Sequence, residues 1–141
     1  MSGAYVDTSA LAKWYVNEPG SDAFAAFIMR RAPATISRLT VVELRCLLAR
    51  RRRAGDMPRE IESEAYRLFE DDLRRGHLDL HPLDDTHAIA ASGLLERLAA
   101  HPLRTLDALH LAIALEASAA VLATADRVMA HAAKALSGSR S

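Results

Sequence analysis

The sequence lacks several features that mark large classes of proteins. Its 141 residues include one cysteine, Cys46, so no disulfide can form within the chain and a disulfide-stabilised scaffold is excluded. The apolar and basic surroundings of Cys46 predict a buried, reduced thiol. Aromatic residues make up 5% of the chain, so the core has to be built mainly from Ala, Leu, Val and Ile. No apolar run approaches the roughly 18 residues of a membrane span, because Glu116 and Asp126 interrupt the most apolar region.

The chain also lacks a net charge. Eighteen basic and eighteen acidic side chains give a formal charge of zero at pH 7. No field of the whole protein attracts nucleic acid, so any contact with RNA has to be local. The N-terminal segment Met1–Asp7 has no basic stretch followed by a long apolar one, which is the pattern of a secretory signal. We therefore expect a cytoplasmic protein that has no membrane partner.

What the chain does contain is an alternation of short apolar segments with longer stretches of helical periodicity, typical of an α/β protein with a mainly parallel sheet. We predict one domain over residues 1–141, with a frayed tail at 137–141. Strands are predicted at Ala4–Val6, Ala34–Ser37, Leu78–Leu80 and Ala120–Leu122. Helices are predicted at Ser9–Asn17, Ser21–Arg31, Thr40–Ala54, Pro58–Arg75, Asp84–Ala100, Thr105–Ala117 and Asp126–Leu136.

Four acidic residues stand at or near the starts of predicted helices. Asp7 and Asp126 each follow a strand and could cap the next helix. Asp107 lies in the first turn of its helix, where the helix dipole favours a negative charge. Glu43 stands three residues after Thr40, which is the spacing of a capping box. Each acid taken alone therefore has an ordinary structural explanation.

Taken together, the four acids indicate more. In a parallel sheet every strand-to-helix junction lies at the same edge, where ligands bind in open α/β folds. Carboxylates that converge there repel one another unless a cation neutralises them. Oxygen ligands without a Cys or His cluster suit Mg²⁺ or Mn²⁺ rather than Zn²⁺, and such hard cations promote phosphate chemistry by activating water. We therefore predict a catalytic centre made of Asp7, Glu43, Asp107 and Asp126.

Four segments that contain these acids resemble, in order and spacing, the PIN domains, and in particular the VapC-like toxins of bacterial toxin–antitoxin pairs. They are Tyr5–Leu11, Thr40–Leu44, Leu106–Ala112 and Leu122–Asp126, and together they span nearly the whole chain. One such segment is a weak signal, whereas four in the correct order are specific. The resemblance implies a three-layer α/β/α sandwich around a short, mainly parallel sheet of four or five strands. The chain after Leu136 is too short and polar for a secure fifth strand.

For function, the resemblance implies a Mg²⁺-dependent endoribonuclease, with Mn²⁺ able to substitute, that hydrolyses RNA such as transfer or ribosomal RNA. It also implies a homodimer that is inhibited by a VapB-like antitoxin. Asp7 and Asp107 correspond to the positions most directly tied to the metal, and the other two acids correspond to the rest of the set. Ser9 and Thr124 correspond to hydroxyls that support these ligands.

The densest positive charge lies near the end of the third predicted helix. Arg50, Arg51, Arg52 and Arg53 could bind phosphates of RNA. They could also form a solvated face that interacts favourably with the helix dipole, or belong to a dimer or antitoxin surface. The sequence leaves these interpretations open.

Histidines give two further patterns. His77, Asp79 and His81 alternate on one side of a predicted strand. No fourth residue lies at a spacing typical of a Zn²⁺ site, so we do not predict one there. His110 lies three residues after Asp107 and faces broadly the same side of the helix. We expect it to be buried or hydrogen-bonded, because a metal-bound water removes the need for a general base.

Other activities fit the sequence less well. A phosphatase of the haloacid dehalogenase type needs a second Asp two residues after the first, and that position is Ser9. A serine hydrolase needs a Gly-x-Ser-x-Gly elbow, which the sequence does not contain. The alternative that remains is a PIN fold that binds RNA or protein and has little or no nuclease activity.

Overall fold

The structure is a computed structural model that describes residues 3–16, 19–31 and 33–138. Within these ranges the chain forms four strands and seven helices. In chain order they are β1 (Ala4–Val6), α1 (Thr8–Tyr15), α2 (Ser21–Arg31), β2 (Ala34–Ser37), α3 (Arg38–Arg53), α4 (Arg59–Arg74), β3 (Leu78–His81), α5 (Asp85–Arg97), α6 (Thr105–Glu116), β4 (Val121–Ala123) and α7 (Arg127–Gly138).

The four strands form one parallel sheet in the order β3-β2-β1-β4. In the register of the sheet, Tyr5 pairs with Thr35 on one side and with Leu122 on the other. The predicted α/β class is confirmed, with four strands in the described residues. No helix in the described ranges is long and apolar enough to span a membrane.

Side chains of β1 alternate between the two faces of the sheet, as the pleat requires. Val6 packs with the helices α1 to α4 in one apolar cluster, whereas Tyr5 packs with Ile113 of α6 on the other face. A second cluster joins α5, α6 and α7 beside that face. The sheet therefore lies between two helical layers, as expected of a three-layer sandwich.

The start of α3 differs from the prediction because its N-cap is Ser37. The predicted capping box of Thr40 and Glu43 is wrong, because the capping box of α3 pairs Ser37 with Thr40. Ser37 is the last residue of β2, so the strand passes into the helix without an intervening loop. Glu43 lies in the second turn of α3 and is left with no capping role, so its carboxylate is available for other contacts.

The ends of two helices also change. Helix α5 ends at Arg97, and α7 continues to Gly138, so 137–138 are helical rather than frayed. The predicted end of α1 at Asn17 and the tail at 139–141 lie outside the described residues.

Cys46 is exposed rather than buried, so that prediction was wrong. Leu44 and Leu48 occupy the buried face of α3. Cys46 lies two residues from each of them, which places it about 200° around a helix of 3.6 residues per turn. The apolar neighbours in the sequence therefore belong to the opposite face of the helix.

Candidate active site

All four predicted acids line one cleft at the carboxyl edge of the sheet. Asp7 directly follows β1, and Asp126 lies between β4 and α7. Glu43 is carried by α3, which begins directly after β2, and Asp107 lies in the first turn of α6. Because β1, β2 and β4 are neighbours and parallel, their ends bring three of the acids together. Helix α6 brings the fourth acid to the same edge from the second helical layer.

Asp7 is only 3% exposed, and both of its carboxylate oxygens accept hydrogen bonds. Its Oδ1 accepts hydrogen bonds from the backbone N–H of Ala10 at 3.0 Å and from the hydroxyl of Ser9 at 2.8 Å. Its Oδ2 accepts the hydroxyl of Thr124 at 2.5 Å. Burial raises the pKa of Asp7, although the hydrogen bonds from Thr124, Ala10 and Ser9 oppose that rise. The same carboxylate therefore caps α1 and lines the cleft.

Ser9 and Thr124 also join the segment after β4 to the site. The Oγ of Ser9 accepts the backbone N–H of Ala125 at 3.0 Å, and the Oγ1 of Thr124 accepts the N–H of Asp126 at 3.0 Å. Thr124 thus contacts Asp7 through its hydroxyl hydrogen and Asp126 through its oxygen. One side chain therefore links the carboxylate of Asp7 to the backbone of Asp126.

Glu43 is held from two sides. Its Oε1 accepts the hydroxyl of Thr8 at 2.6 Å and lies 2.5 Å from Nε2 of His110. Burial raises the pKa of Glu43, but the hydrogen bonds from His110 and Thr8 outweigh burial and hold that pKa below its ordinary value. The carboxylate is therefore ionised at neutral pH.

His110 belongs to a buried polar chain beneath the cleft. It is 2% exposed, which confirms the expectation of a buried, hydrogen-bonded histidine. Its Nδ1 lies 2.6 Å from the hydroxyl of Tyr5, and that hydroxyl donates to Oγ of Ser37 at 2.9 Å. Burial raises the pKa of Tyr5 to about 12, so the phenol stays neutral. The chain from Ser37 through Tyr5 and His110 to Glu43 ties β2, β1, α6 and α3 together under the acids.

Arg104 was not predicted as a site residue, yet it joins two of the acids. Its Nε lies 3.6 Å from Oδ2 of Asp107, and its Nη2 lies 3.5 Å from Oδ2 of Asp126. Oδ2 of Asp107 also accepts the backbone N–H of Arg104 at 3.2 Å, and Oδ1 of Asp126 caps α7 at the N–H groups of Val128 and Met129. The side chain of Arg104 is 81% exposed, so its guanidinium is held only weakly. Its place three residues before Asp107 brings it near that acid, but its contact with Asp126 depends on the fold.

The predicted arginine run separates into different environments. Arg50 is exposed and lines the cleft. Arg52 pairs with Glu62, whose Oε1 lies 2.5 Å from Nε of the arginine. Arg53 is exposed, and Arg51 is half-buried. Of the four, Arg50 is therefore the one whose position favours a contact with a phosphate in the cleft.

The donor atoms of the cleft suit a hard divalent cation. Every candidate ligand is a carboxylate oxygen, which is what Mg²⁺ and Mn²⁺ prefer. Among the described residues, the hydrogen bonds to these side chains go to Oε1 of Glu43 and Oδ2 of Asp107, which leaves Oε2 and Oδ1 without one. The four carboxylates do not close around a single point in the described chain, and Arg104 joins two of them instead. Asp7, Glu43, Asp107 and Asp126 therefore offer donors of the right type, and a bound metal would have to draw these carboxylates closer together and away from Arg104.

Comparisons with known proteins agree with this geometry. Residues 4–135 match the PIN domain family. The chain is 37% identical over 139 residues to Ribonuclease VapC46 of Mycobacterium tuberculosis, with 96% of this chain and 94% of the relative covered. The crystal structure of M. tuberculosis VapC20, a toxin that cleaves the sarcin-ricin loop, superposes with a TM-score of 0.71 at 17% identity, covering 92% of this chain and 95% of the other. A toxin–antitoxin complex from Klebsiella pneumoniae gives a TM-score of 0.59 at 15% identity, covering 86% and 85%.

Proposed function

The chain belongs to the PIN domain family, and on that premise we propose that it is a metal-dependent endoribonuclease of the VapC type, the toxin of a toxin–antitoxin pair. The observation that carries the proposal is the convergence of Asp7, Glu43, Asp107 and Asp126 in one cleft, from four separate elements of the chain. The 37% identity to Ribonuclease VapC46 supports RNA as the substrate class.

Mg²⁺ is the proposed cofactor, with Mn²⁺ able to substitute, and the four acids are the residues that would hold it. When bound, such an ion neutralises the carboxylates, lowers the pKa of coordinated water and stabilises charge on the leaving oxygen. The chain needs no nucleophile of its own for a hydrolysis of this kind.

The residues around the acids prepare them for this task. Ser9 and Thr124 fix the carboxylate of Asp7 through its two oxygens. Thr8 and His110 hold Glu43 in its ionised form while its second oxygen stays available. Hydrogen bonds to carboxylates of this kind orient the ligands and increase their affinity for a metal.

RNA has to be bound locally, because the whole chain carries no net charge. Arg50 and Arg104 line the cleft beside the acids. Their exposed guanidinium groups can each bind the non-bridging oxygens of a phosphate. We assign Arg104 to the phosphate next to the acids and Arg50 to a neighbouring phosphate of the same strand.

The proposal includes the partners of a VapC-type toxin. A VapB-like antitoxin is supported by the likeness to the toxin–antitoxin complex of K. pneumoniae. A homodimer is part of the same proposal. So is a cytoplasmic location, since RNA and a co-produced antitoxin are found in the cytoplasm. The exposed arginines of the run, including Arg53, are available to these partners as well as to RNA.

Cleavage of RNA by the pure protein tests the proposal. Protein freed of antitoxin is incubated with a broad panel of cellular RNAs in Mg²⁺, in Mn²⁺ and in EDTA, with Asp107→Asn as the matched inactive control. We expect cleavage in either metal and none in EDTA. Folded protein that leaves every RNA intact in both metals would favour the alternative of a binding module and overturn the proposal. Mapping of the new 5′ ends across a transcriptome then identifies the target.

A further inference from the structure

A second cluster of metal-ligating side chains lies apart from the acids. His81 is the last residue of β3, His87 lies in the first turn of α5, and Glu116 is the last residue of α6. One ligand atom from each lies within 4.8 Å of the others, and no other such group of three His, Cys, Asp or Glu side chains occurs in the described residues. We propose that His81, His87 and Glu116 form a site for a divalent transition metal, with Zn²⁺ as the ion that best suits the donors.

The contacts show how the three donors are aimed. Oε1 of Glu116 lies 2.7 Å from Nε2 of His81 and 2.5 Å from Nε2 of His87. The two imidazole rings meet edge to face, with centroids 5.7 Å apart. Both nitrogens therefore point at the same carboxylate, and an ion that replaces their hydrogens meets two imidazole lone pairs and one carboxylate oxygen. Two histidines and one carboxylate are a common ligand set for zinc.

The site is anchored on one side and accessible on the other. His87 is 2% exposed, whereas the side chains of His81 and Glu116 are 26% and 50% exposed. The buried histidine fixes the direction of one ligand, and the exposed pair lets an ion enter from solvent. Water can complete the coordination on that open side. Hydrogen bonds from His81 and His87 hold the pKa of Glu116 below its ordinary value, so the carboxylate is ionised at neutral pH.

Asp84 provides the supporting group for the buried histidine. In the metal-free protein, Nδ1 of His87 accepts the backbone N–H of Asp84 at 3.0 Å. The carboxylate of the same residue lies 3.4 Å from that nitrogen. When Nε2 binds a metal, the ring hydrogen moves to Nδ1, and Oδ1 of Asp84 becomes its acceptor. A carboxylate behind a ligating histidine is the usual arrangement in zinc sites. Metal binding therefore exchanges one capping hydrogen bond of α5 for a histidine–carboxylate contact.

The cluster differs from the acidic cleft in position and in chemistry. Glu116 follows Asp107 by nine residues on α6, a distance of about 14 Å along a helix that rises 1.5 Å per residue. The cleft offers oxygen donors, which suit Mg²⁺, whereas the cluster offers mostly nitrogen, which suits Zn²⁺ and its neighbours in the first transition row. The two sites should therefore select different ions.

The cluster also explains why the pattern of His77, Asp79 and His81 in the sequence did not predict a zinc site. His77 contacts Asp72, at 3.0 Å between Nδ1 and Oδ1, and Asp79 is exposed. His81 finds its partners on α5 and α6, which lie later in the chain. An ion at this point would join the end of β3 to both helices, and we expect it to stabilise the fold.

Zinc titration of point variants tests the site. His81→Gln and Glu116→Gln remove ligands that are partly exposed, so the variants should still fold. His131→Gln is the matched control, because His131 is an exposed histidine on α7. All are titrated with ZnSO₄ by calorimetry in an Asp107→Asn background, which weakens metal binding at the acids. We expect saturable binding in the background protein, at least about tenfold weaker in His81→Gln and in Glu116→Gln, and unchanged in His131→Gln.

Two results would overturn the site. If the background protein shows no saturable Zn²⁺ binding, or if both ligand variants bind as tightly as the His131→Gln control, the cluster is only a hydrogen-bonded group. Melting temperature gives a second readout: Zn²⁺ should raise it in the background protein and in the control, but not in the ligand variants. None of these measurements requires RNA, so the result is independent of the proposed nuclease activity.

Discussion

Nε2 of His110 lies 2.5 Å from Oε1 of Glu43. The helix that carries the acid Asp107 therefore also orients a second acid, which belongs to a different helical layer. Since Tyr5 contacts the other ring nitrogen of His110 from the central strand, a displacement of any one of these elements is transmitted to Glu43. One imidazole thus links Glu43 to the helix that carries Asp107.

His110→Asn should reduce RNA cleavage by about tenfold or more, because Glu43 loses one of the two contacts that orient it. Tyr5→Phe should have a smaller effect on cleavage and should lower the free energy of unfolding by about 1 kcal/mol, since the buried contacts of the hydroxyl with Ser37 and with Nδ1 of His110 are lost. Initial cleavage rates at saturating Mg²⁺ and urea denaturation measure the two quantities. A folded His110→Asn variant with the parent's rate would show that Glu43 needs no such support.

Asp7→Asn and Asp7→Ala should separate catalysis from helix capping. Both should lower cleavage by at least about a hundredfold, because the metal-positioning charge is lost. Asn is as good an N-cap as Asp, so Asp7→Asn should be no less stable than the parent without metal, whereas Asp7→Ala should lose about 1 kcal/mol of unfolding free energy. Burial already raises the pKa of Asp7, so removal of its charge relieves a penalty. Near-normal cleavage by Asp7→Asn would leave only the capping role.

Arg104→Ala should lower the Mg²⁺ concentration that gives half-maximal cleavage, because the guanidinium beside Asp107 and Asp126 repels an incoming cation. The maximal rate should fall at the same time if the arginine binds the RNA phosphate. Arg104→Lys should lie between Arg104→Ala and the parent, since it keeps the charge without the planar fork. Stability should change by no more than about 1 kcal/mol, as for other exposed ion pairs. A Mg²⁺ requirement that rises in Arg104→Ala would contradict this account.

Asp72 should make stability depend on pH in the acid range. It accepts hydrogen bonds from Tyr15 at 2.5 Å and Trp14 at 3.2 Å, and it lies 3.0 Å from Nδ1 of His77. Burial raises the pKa of Asp72, but the contacts from Tyr15, His77 and Trp14 outweigh burial and lower that pKa. A group with a lowered pKa in the folded state stabilises the protein above its unfolded pKa, near about 4, and this contribution is lost as pH falls through the folded value.

The measurement is urea denaturation of the parent and of Asp72→Asn at pH 7 and near pH 3. At pH 7 the variant should be less stable by about 1 kcal/mol, as expected for lost hydrogen bonds to a charged acceptor that is partly solvated. The difference should shrink at the lower pH. Asp79→Asn is the control, because Asp79 is exposed on β3. An equal difference at both pH values would mean that the charge of Asp72 is not involved.

The acids could be predicted to converge because three of them follow strands, and parallel strands share one edge. Their chemical environment could not be predicted in the same way. Glu43 has the spacing of a cap in the sequence, but the cap belongs to Ser37, where β2 passes directly into α3. The place of Arg104 depends on how the loop before α6 meets β4, which no local pattern specifies. Likewise His81, His87 and Glu116 come from three separate elements, so no characteristic spacing in the sequence predicts that they form a metal site.

The order of strands has a consequence for synthesis of the protein. The central strands β1 and β2 come from the first part of the chain, and the outer strands β3 and β4 come from the second. Asp7 and Thr124, which contact each other in the site, are 117 residues apart. A chain emerging from the ribosome therefore cannot complete its cleft until β4 has been translated and has docked against β1. Any activity that depends on the complete cleft therefore begins only after this last strand has docked.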